Sequence, residues 1–233
     1  MPLPTIAIPK YPVVIPSTKK ETTFRPFLMK EQKILMIALE SKDTKQIFSA
    51  MCDILKSCVD GVENPVTMPV FDIEYLFAKV RSKSVGEIIE VKVVCPKCNK
   101  KSDISVSLDE LEVDFPKGVS NKIMLNENLG VILRYPCLGD ALVDTDNMSA
   151  DRIVDFVCNS VEMVFDDTNT WTRKDFTMQE IMSFVESMNA AQFEQVINFY
   201  KNLPQLAKTQ KCTCTSCANE FELDFRGLQD FFT

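Results

Sequence analysis

Two short cysteine clusters are the residues of this chain best placed to do chemistry. Cys95-Pro96-Lys97-Cys98 and Cys212-Thr213-Cys214-Thr215-Ser216-Cys217 each contain a C-x-x-C turn. Such a turn lets two sulfurs converge on one ion, and two facing turns make a tetrahedral site of four thiolates. The expected ligands are Cys95, Cys98, Cys214 and Cys217, and the expected ion is a structural Zn2+. Cys212 is an alternative to Cys214, but only Cys214 keeps the x-x spacing with Cys217. Four thiolates leave no open coordination position, so the site reads as structural rather than catalytic.

The separation of the two clusters is unusual. Paired C-x-x-C motifs commonly stand about 15–20 residues apart, whereas more than a hundred residues lie between Cys98 and Cys214. Closing such a loop costs on the order of 4 kcal/mol of chain entropy. A structural zinc site contributes roughly 10–16 kcal/mol in model peptides, so zinc can close it. Free cysteines and a thiol redox pair are the competing readings. No helix begins at either pair to lower a thiolate pKa, which weighs against redox work.

The rest of the composition narrows the function classes. The chain has 233 residues, a net charge of -7, 45% hydrophobic residues and no histidine. Without histidine there is no Ser-His-Asp or Cys-His nucleophile pair and no mixed cysteine–histidine zinc site. With six glycines, no Gly-rich phosphate loop is present. Nucleic-acid binding is not expected from an acidic chain. Lys92, Lys97, Lys100, Lys101, Lys208 and Lys211 flank the clusters, but Asp103, Glu220, Glu222 and Asp224 do so too. No apolar run reaches the roughly 18 residues of a membrane span, and Met1 to Pro16 lacks a signal-peptide pattern. Nine cysteines, an odd number, fit a reducing compartment better than a disulfide framework. Cys52, Cys58 and Cys158 sit in apolar helical patterns and read as small core hydrophobes.

The elements that must position the clusters follow from periodicity. Six prolines interrupt residues 1–26, so this stretch is not helical. Its apolar residues make it an extended arm over residues 1–23 that lies on this domain or on a neighbour. Helices are expected over Lys30 to Glu40, from an Asp43-Thr44 cap to near Asp60, and from about Val70. Ile88 to Val94 and Ile104 to Leu108 alternate as strands around the first cluster, and Glu220 to Phe225 alternates after the second. Lys122 to Leu125 and Gly130 to Tyr135 read as a hairpin turned at Asn126 to Leu129. A helix capped by Ser149 is expected from Ala150 to about Val164, and a Thr177/Glu180 capping box opens another. A further helix runs from Ala190 to about Asn202. The fold class is α+β: a helical body with short antiparallel hairpins and a zinc ribbon formed by the two distant knuckles. The body spans 24–94 and 99–211, and the ribbon halves span 95–108 and 212–225. Phe231 and Phe232, at the end of the chain, are candidate partner contacts.

Phe24-Arg25-Pro26-Phe27-Leu28, running into Glu31-Gln32-Lys33-Ile34-Leu35 and Ala38-Leu39-Glu40-Ser41, resembles the baseplate hub proteins of T4-like contractile-tailed phages. The stretch Leu76 to Glu87 resembles them as well, and the C-x-x-C at Cys95 and Cys98 falls where the resemblance places it. The likeness covers about Phe24 to Cys98. It implies a structural or assembly component of a tail baseplate hub, not an enzyme. It further implies docking to other tail proteins, assembly in the host cytoplasm and a place in the virion tail. A zinc-ribbon regulator or nucleic-acid-binding module is the alternative, and it predicts salt-sensitive binding to DNA or RNA.

Overall fold

Secondary structure follows the local signals along most of the chain. The computed structural model describes residues 6–137, 140 and 150–227. Phe231, Phe232 and the Ser149 cap lie outside the described residues. In chain order the elements begin with β1 (Tyr11–Val14), β2 (Glu21–Phe24), α1 (Met29–Ser41), α2 (Thr44–Cys58) and α3 (Val70–Ser84). Then come β3 (Ile88–Val94), β4 (Lys101–Ser107), β5 (Glu112–Asp114), β6 (Lys122–Met124) and β7 (Gly130–Leu133). The C-terminal part holds α4 (Ala150–Ser160), β8 (Val161–Phe165), β9 (Thr170–Thr172), α5 (Met178–Glu186), α6 (Ala190–Lys201), β10 (Gln205–Thr213) and β11 (Glu220–Arg226). The result is a mixed helix-and-hairpin fold in two compact units. One unit is Met1–Asp114 with Gln205–Thr233, and the other is Phe115–Pro204.

In the first unit, α2 and α3 supply the most deeply buried helical residues. Ile54, Leu55, Ile73, Leu76, Phe77 and Val80 are each at most 1% exposed. The N-terminal arm residues fold back as the β1–β2 hairpin, with Val13, Ile15 and Phe24 buried. The Asp60 backbone N–H donates to the Thr23 carbonyl at 2.8 Å, and the Arg25 N–H donates to the Cys58 carbonyl at 2.9 Å. These bonds dock β2 on the end of α2. The motif that carries the phage likeness has a physical role here. Phe24 and Phe27 are buried, and Arg25 Nη2 donates to the buried Glu31 carboxylate at 2.9 Å. The other Glu31 oxygen accepts the Leu28 N–H at 2.8 Å and so closes the first turn of α1. The second motif acts similarly: the Ser84 hydroxyl accepts the Phe27 N–H, and Lys83 pairs with Asp109 at 2.6 Å.

A second anchor of the hairpin is Asp72, fully buried on α3. Its carboxylate accepts both the backbone N–H (3.0 Å) and the hydroxyl of Ser17. Burial pushes the Asp72 pKa above its ordinary 3.8, and the Ser17 bonds only partly oppose this. The folded state therefore holds the proton more tightly than the unfolded chain. The resulting stability is present below pH 3.8 and is lost as pH rises through the folded-state pKa. Asp72→Asn keeps an oxygen acceptor and carries no charge. Urea denaturation of this variant is expected to show a flatter stability-versus-pH profile above pH 3.8 than the wild type. An unchanged slope would count against this role.

The second unit is a four-stranded antiparallel sheet, in the order β6-β7-β8-β9, with α4, α5 and α6. Its core gathers Ile123, Leu125, Val131, Leu133, Val157, Cys158, Val161, Val164, Ile181, Val185, Val196 and Phe199. The hairpin at Asn126 to Leu129 forms as expected, with Ile123 paired to Val131. One expectation is corrected: the helix from Ala150 stops at Ser160 instead of running to Val164. Val161 to Phe165 pairs with β7 as a strand. The Ser160 hydroxyl bonds back to the Phe156 carbonyl (2.7 Å), and the Ser160 carbonyl accepts the Arg134 N–H (2.8 Å). Sheet pairing by β-branched Val161 and Val164 overrides local helical periodicity.

Candidate metal centre

The two C-x-x-C turns sit at the tips of two hairpins of the first unit. The β3–β4 hairpin pairs Ile88 with Ser107 through Val94 with Lys101, and it turns through Cys95 to Lys100. The β10–β11 hairpin pairs Ala207 with Arg226 through Thr213 with Glu220, and it turns through Cys214 to Asn219. The two turns repeat one hydrogen-bond scheme. The Cys95 N–H donates to the Lys100 carbonyl (3.0 Å), and the Asn99 N–H donates to the Cys95 carbonyl (2.9 Å). The Cys214 N–H donates to the Asn219 carbonyl (2.9 Å), and the Ala218 N–H donates to the Cys214 carbonyl (2.9 Å). Asn99 and Ala218, the fifth residue of each turn, share a left-handed backbone with φ of 56° and 53°. Asparagine tolerates that conformation, whereas alanine adopts it at a cost of about 1–2 kcal/mol. The two backbone hydrogen bonds of the turn help to hold Ala218 in that conformation.

The four sulfurs converge. Cys95 Sγ lies 3.8 Å from Cys217 Sγ, and Cys98 Sγ lies 3.6 Å from Cys214 Sγ. All four sulfurs lie within 4.8 Å of one another. Zn–S bonds of about 2.3 Å in a tetrahedron put sulfurs about 3.8 Å apart, a spacing that the Cys95–Cys217 and Cys98–Cys214 pairs already have, so the set can close on a four-thiolate ion. Cys95 and Cys214 are buried, while Cys98 and Cys217 are partly exposed. Cys212 stands apart from the cluster: its thiol is directed at the Gln210 carbonyl, 3.4 Å away.

The surroundings favour thiolate. The Ser102 hydroxyl donates to Cys214 Sγ at 3.6 Å, and the Ser216 N–H does so at 3.4 Å. Led by the Ser102 bond, these donors bring the Cys214 thiol down to about 6. Burial opposes ionisation of Cys95, yet the amides of Cys98 and Lys97 hold its pKa below the usual value. Cys217 receives the Asn219 amide, but burial and the neighbouring sulfurs push it up to about 12. One thiol of the set therefore ionises readily and the last resists. A divalent cation relieves that mutual repulsion of thiolates.

The chain matches the family described as T4 bacteriophage base plate protein over residues 8–233. It belongs to that family. The match extends the likeness of Phe24 to Cys98 through both cysteine clusters. No curated protein matches the chain, and no solved structure does. This baseplate protein has a structural or assembly role in the phage baseplate and acts by docking to other tail and baseplate proteins, not by catalysis. Among the described residues no helix is long and apolar enough to cross a membrane.

Sequence reasoning missed two parts of the centre. Ser102 is one: it is an inward, 3% exposed position on β4. Extending the Ile104/Val106 alternation two residues back would have found it. The other is β10, whose Lys208, Thr209, Gln210 and Lys211 hide a strand. Lys208 points inward yet reaches Glu110 at 2.7 Å and the Ser107 carbonyl at 3.3 Å, so its stem is buried while its charge is paired.

Proposed function

We propose that this baseplate protein is a zinc-clamped docking module of the baseplate hub. Cys95, Cys98, Cys214 and Cys217 bind one Zn2+, and the two knuckles with their hairpins act as a zinc ribbon. The convergence of the four sulfurs within 4.8 Å, with two pairs near tetrahedral spacing, carries this reading. The ion supplies no reaction. It fixes the β3–β4 tip to the β10–β11 tip and thereby joins two sequence segments 116 positions apart at Cys98 and Cys214. The protein assembles in the host cytoplasm and resides in the tail baseplate.

Partner contact is assigned to the N-terminal arm, 1–23, and to Phe231 and Phe232. Ile6 is 90% exposed and Ile8 40% exposed, in an arm whose later residues Val13 and Ile15 are buried. Deleting the whole arm would therefore damage the fold as well as the docking surface. Ile6→Asp with Ile8→Asp is the cleaner test. The expected result is an unchanged melting temperature with at least tenfold less protein incorporated into purified tails. Wild-type incorporation of the double variant would remove the arm from the docking surface.

A further inference from the structure

Helix α1 is poorly covered. Among its residues only Glu31 and Ala38 are buried, and they mark one side of the helix. On the opposite side Met29 is 73% exposed, Met36 53% and Ile37 58%. Three large apolar side chains at that exposure on one short helix are more than scattered surface hydrophobes. With 3.6 residues per turn, Lys33, Met36, Ile37 and Glu40 form one stripe at i, i+3, i+4 and i+7. Met29 extends the Met36 row by a further seven positions.

The charges on this stripe are ordered. Lys30 and Lys33 lie in the first half of α1 and Glu40 in the second. Lys30 already leans on Glu31 at 3.4 Å. Among the described residues neither Lys33 nor Glu40 has an ion-pair partner. A stripe that runs from basic through apolar to acidic is complementary to itself when reversed. A two-fold axis passing between Met36 and Ile37 sets Lys33 of one helix against Glu40 of the other. It also packs Met36 on Ile37 across the centre. A parallel pairing would instead put Lys33 on Lys33 and Glu40 on Glu40, which is repulsive.

We propose that α1 is an isologous interface: the Lys33–Met36–Ile37–Glu40 stripe pairs antiparallel with the same stripe of a second copy of this chain. Such a contact uses one patch on both subunits, as two-fold symmetry requires. A helix of 13 residues is about 20 Å long. The contact therefore belongs to the small, transient class of interfaces rather than the obligate class. Methionine at its centre suits a surface that pairs reversibly. The pairing is independent of any metal at the cysteines.

The test is sedimentation velocity of the full chain from about 1 μM to about 1 mM, the range in which a small interface associates. A monomer–dimer equilibrium is expected. Ile37→Glu should weaken it by about 100-fold, with the far-UV spectrum and melting temperature unchanged because the side chain is exposed. Lys33→Glu should weaken it by about tenfold, and Lys33→Glu combined with Glu40→Lys should restore it. Restoration by a swap within one chain is specific to antiparallel self-pairing. A chain that stays monomeric throughout overturns the proposal. So does a dimer that Ile37→Glu leaves intact, or a swap that fails to restore. Capture of a different baseplate protein by α1 while the free chain stays monomeric would also overturn it.

Discussion

Replacing Cys214 by serine is expected to abolish stoichiometric metal binding and to lower the melting temperature by about 10 °C or more. Cys214 is 2% exposed and sits 3.6 Å from Cys98 Sγ. It is also the thiol that Ser102 and Ser216 prepare as a thiolate. Serine at this position supplies a hard, protonated oxygen in place of a soft thiolate, and three sulfurs do not complete the tetrahedron. A structural zinc site is worth roughly 10–16 kcal/mol in peptides that are unfolded without metal. The first unit has its own buried apolar residues, so only part of that is at stake. A loss of about 4 kcal/mol, near a third of the peptide value, gives the stated shift. Chelation of the wild-type protein should reproduce the effect, and hydrogen exchange should rise first at the two knuckles. Cys212→Ser should leave metal content unchanged, because the Cys212 thiol is directed at the Gln210 carbonyl instead. Equal metal loss in both variants would mean that the ligand set is wrong.

The second large effect is expected at Phe199, in the core of the other unit. Phe199 is 2% exposed on α6, with ring centroids 5.6 Å from Tyr135 and 5.0 Å from Tyr200. Phe199→Ala removes the transfer free energy of the ring and leaves a cavity, for a total of about 3–5 kcal/mol. The tilted and edge-on ring contacts are lost as well, and such pairs contribute about 0.5–1.5 kcal/mol each beyond area burial. Phe199→Leu, which keeps most of the volume, should cost less than half as much. Denaturant titration of both variants provides the comparison. A cost below about 1 kcal/mol for alanine would show that this core collapses freely around the gap.

Much of the candidate site was legible in the sequence because its signal is local. A C-x-x-C turn is written in four consecutive residues, and the alternation of Ile104/Val106 and of Phe221/Leu223/Phe225 follows from strand pleating alone. Both C-x-x-C turns form, and Cys95, Cys98, Cys214 and Cys217 converge while Cys212 stands apart. The parts that were not legible depend on distant partners. β10 reads as polar because Lys208 faces inward, and that lysine is satisfied by Glu110 and Ser107, about a hundred positions away. Val161 to Phe165 reads as the tail of a helix until β7 pairs with it. The arm looks extended in isolation, and only the register of Tyr11 with Phe24 and the buried Asp72 shows it to be a docked hairpin. The family likeness began with Phe24 to Cys98, where Arg25–Glu31 and Lys83–Asp109 tie the motifs together. The family match itself runs on through Thr233.

The central claim is a zinc ion held by Cys95, Cys98, Cys214 and Cys217, and elemental analysis of the purified protein tests it most directly. Expressed in zinc-containing medium and purified without chelator, the wild-type chain should carry about one zinc per chain, and Cys214→Ser should carry close to none. A wild-type chain that is fully folded and metal-free, with all four thiols titrating freely, would contradict the account.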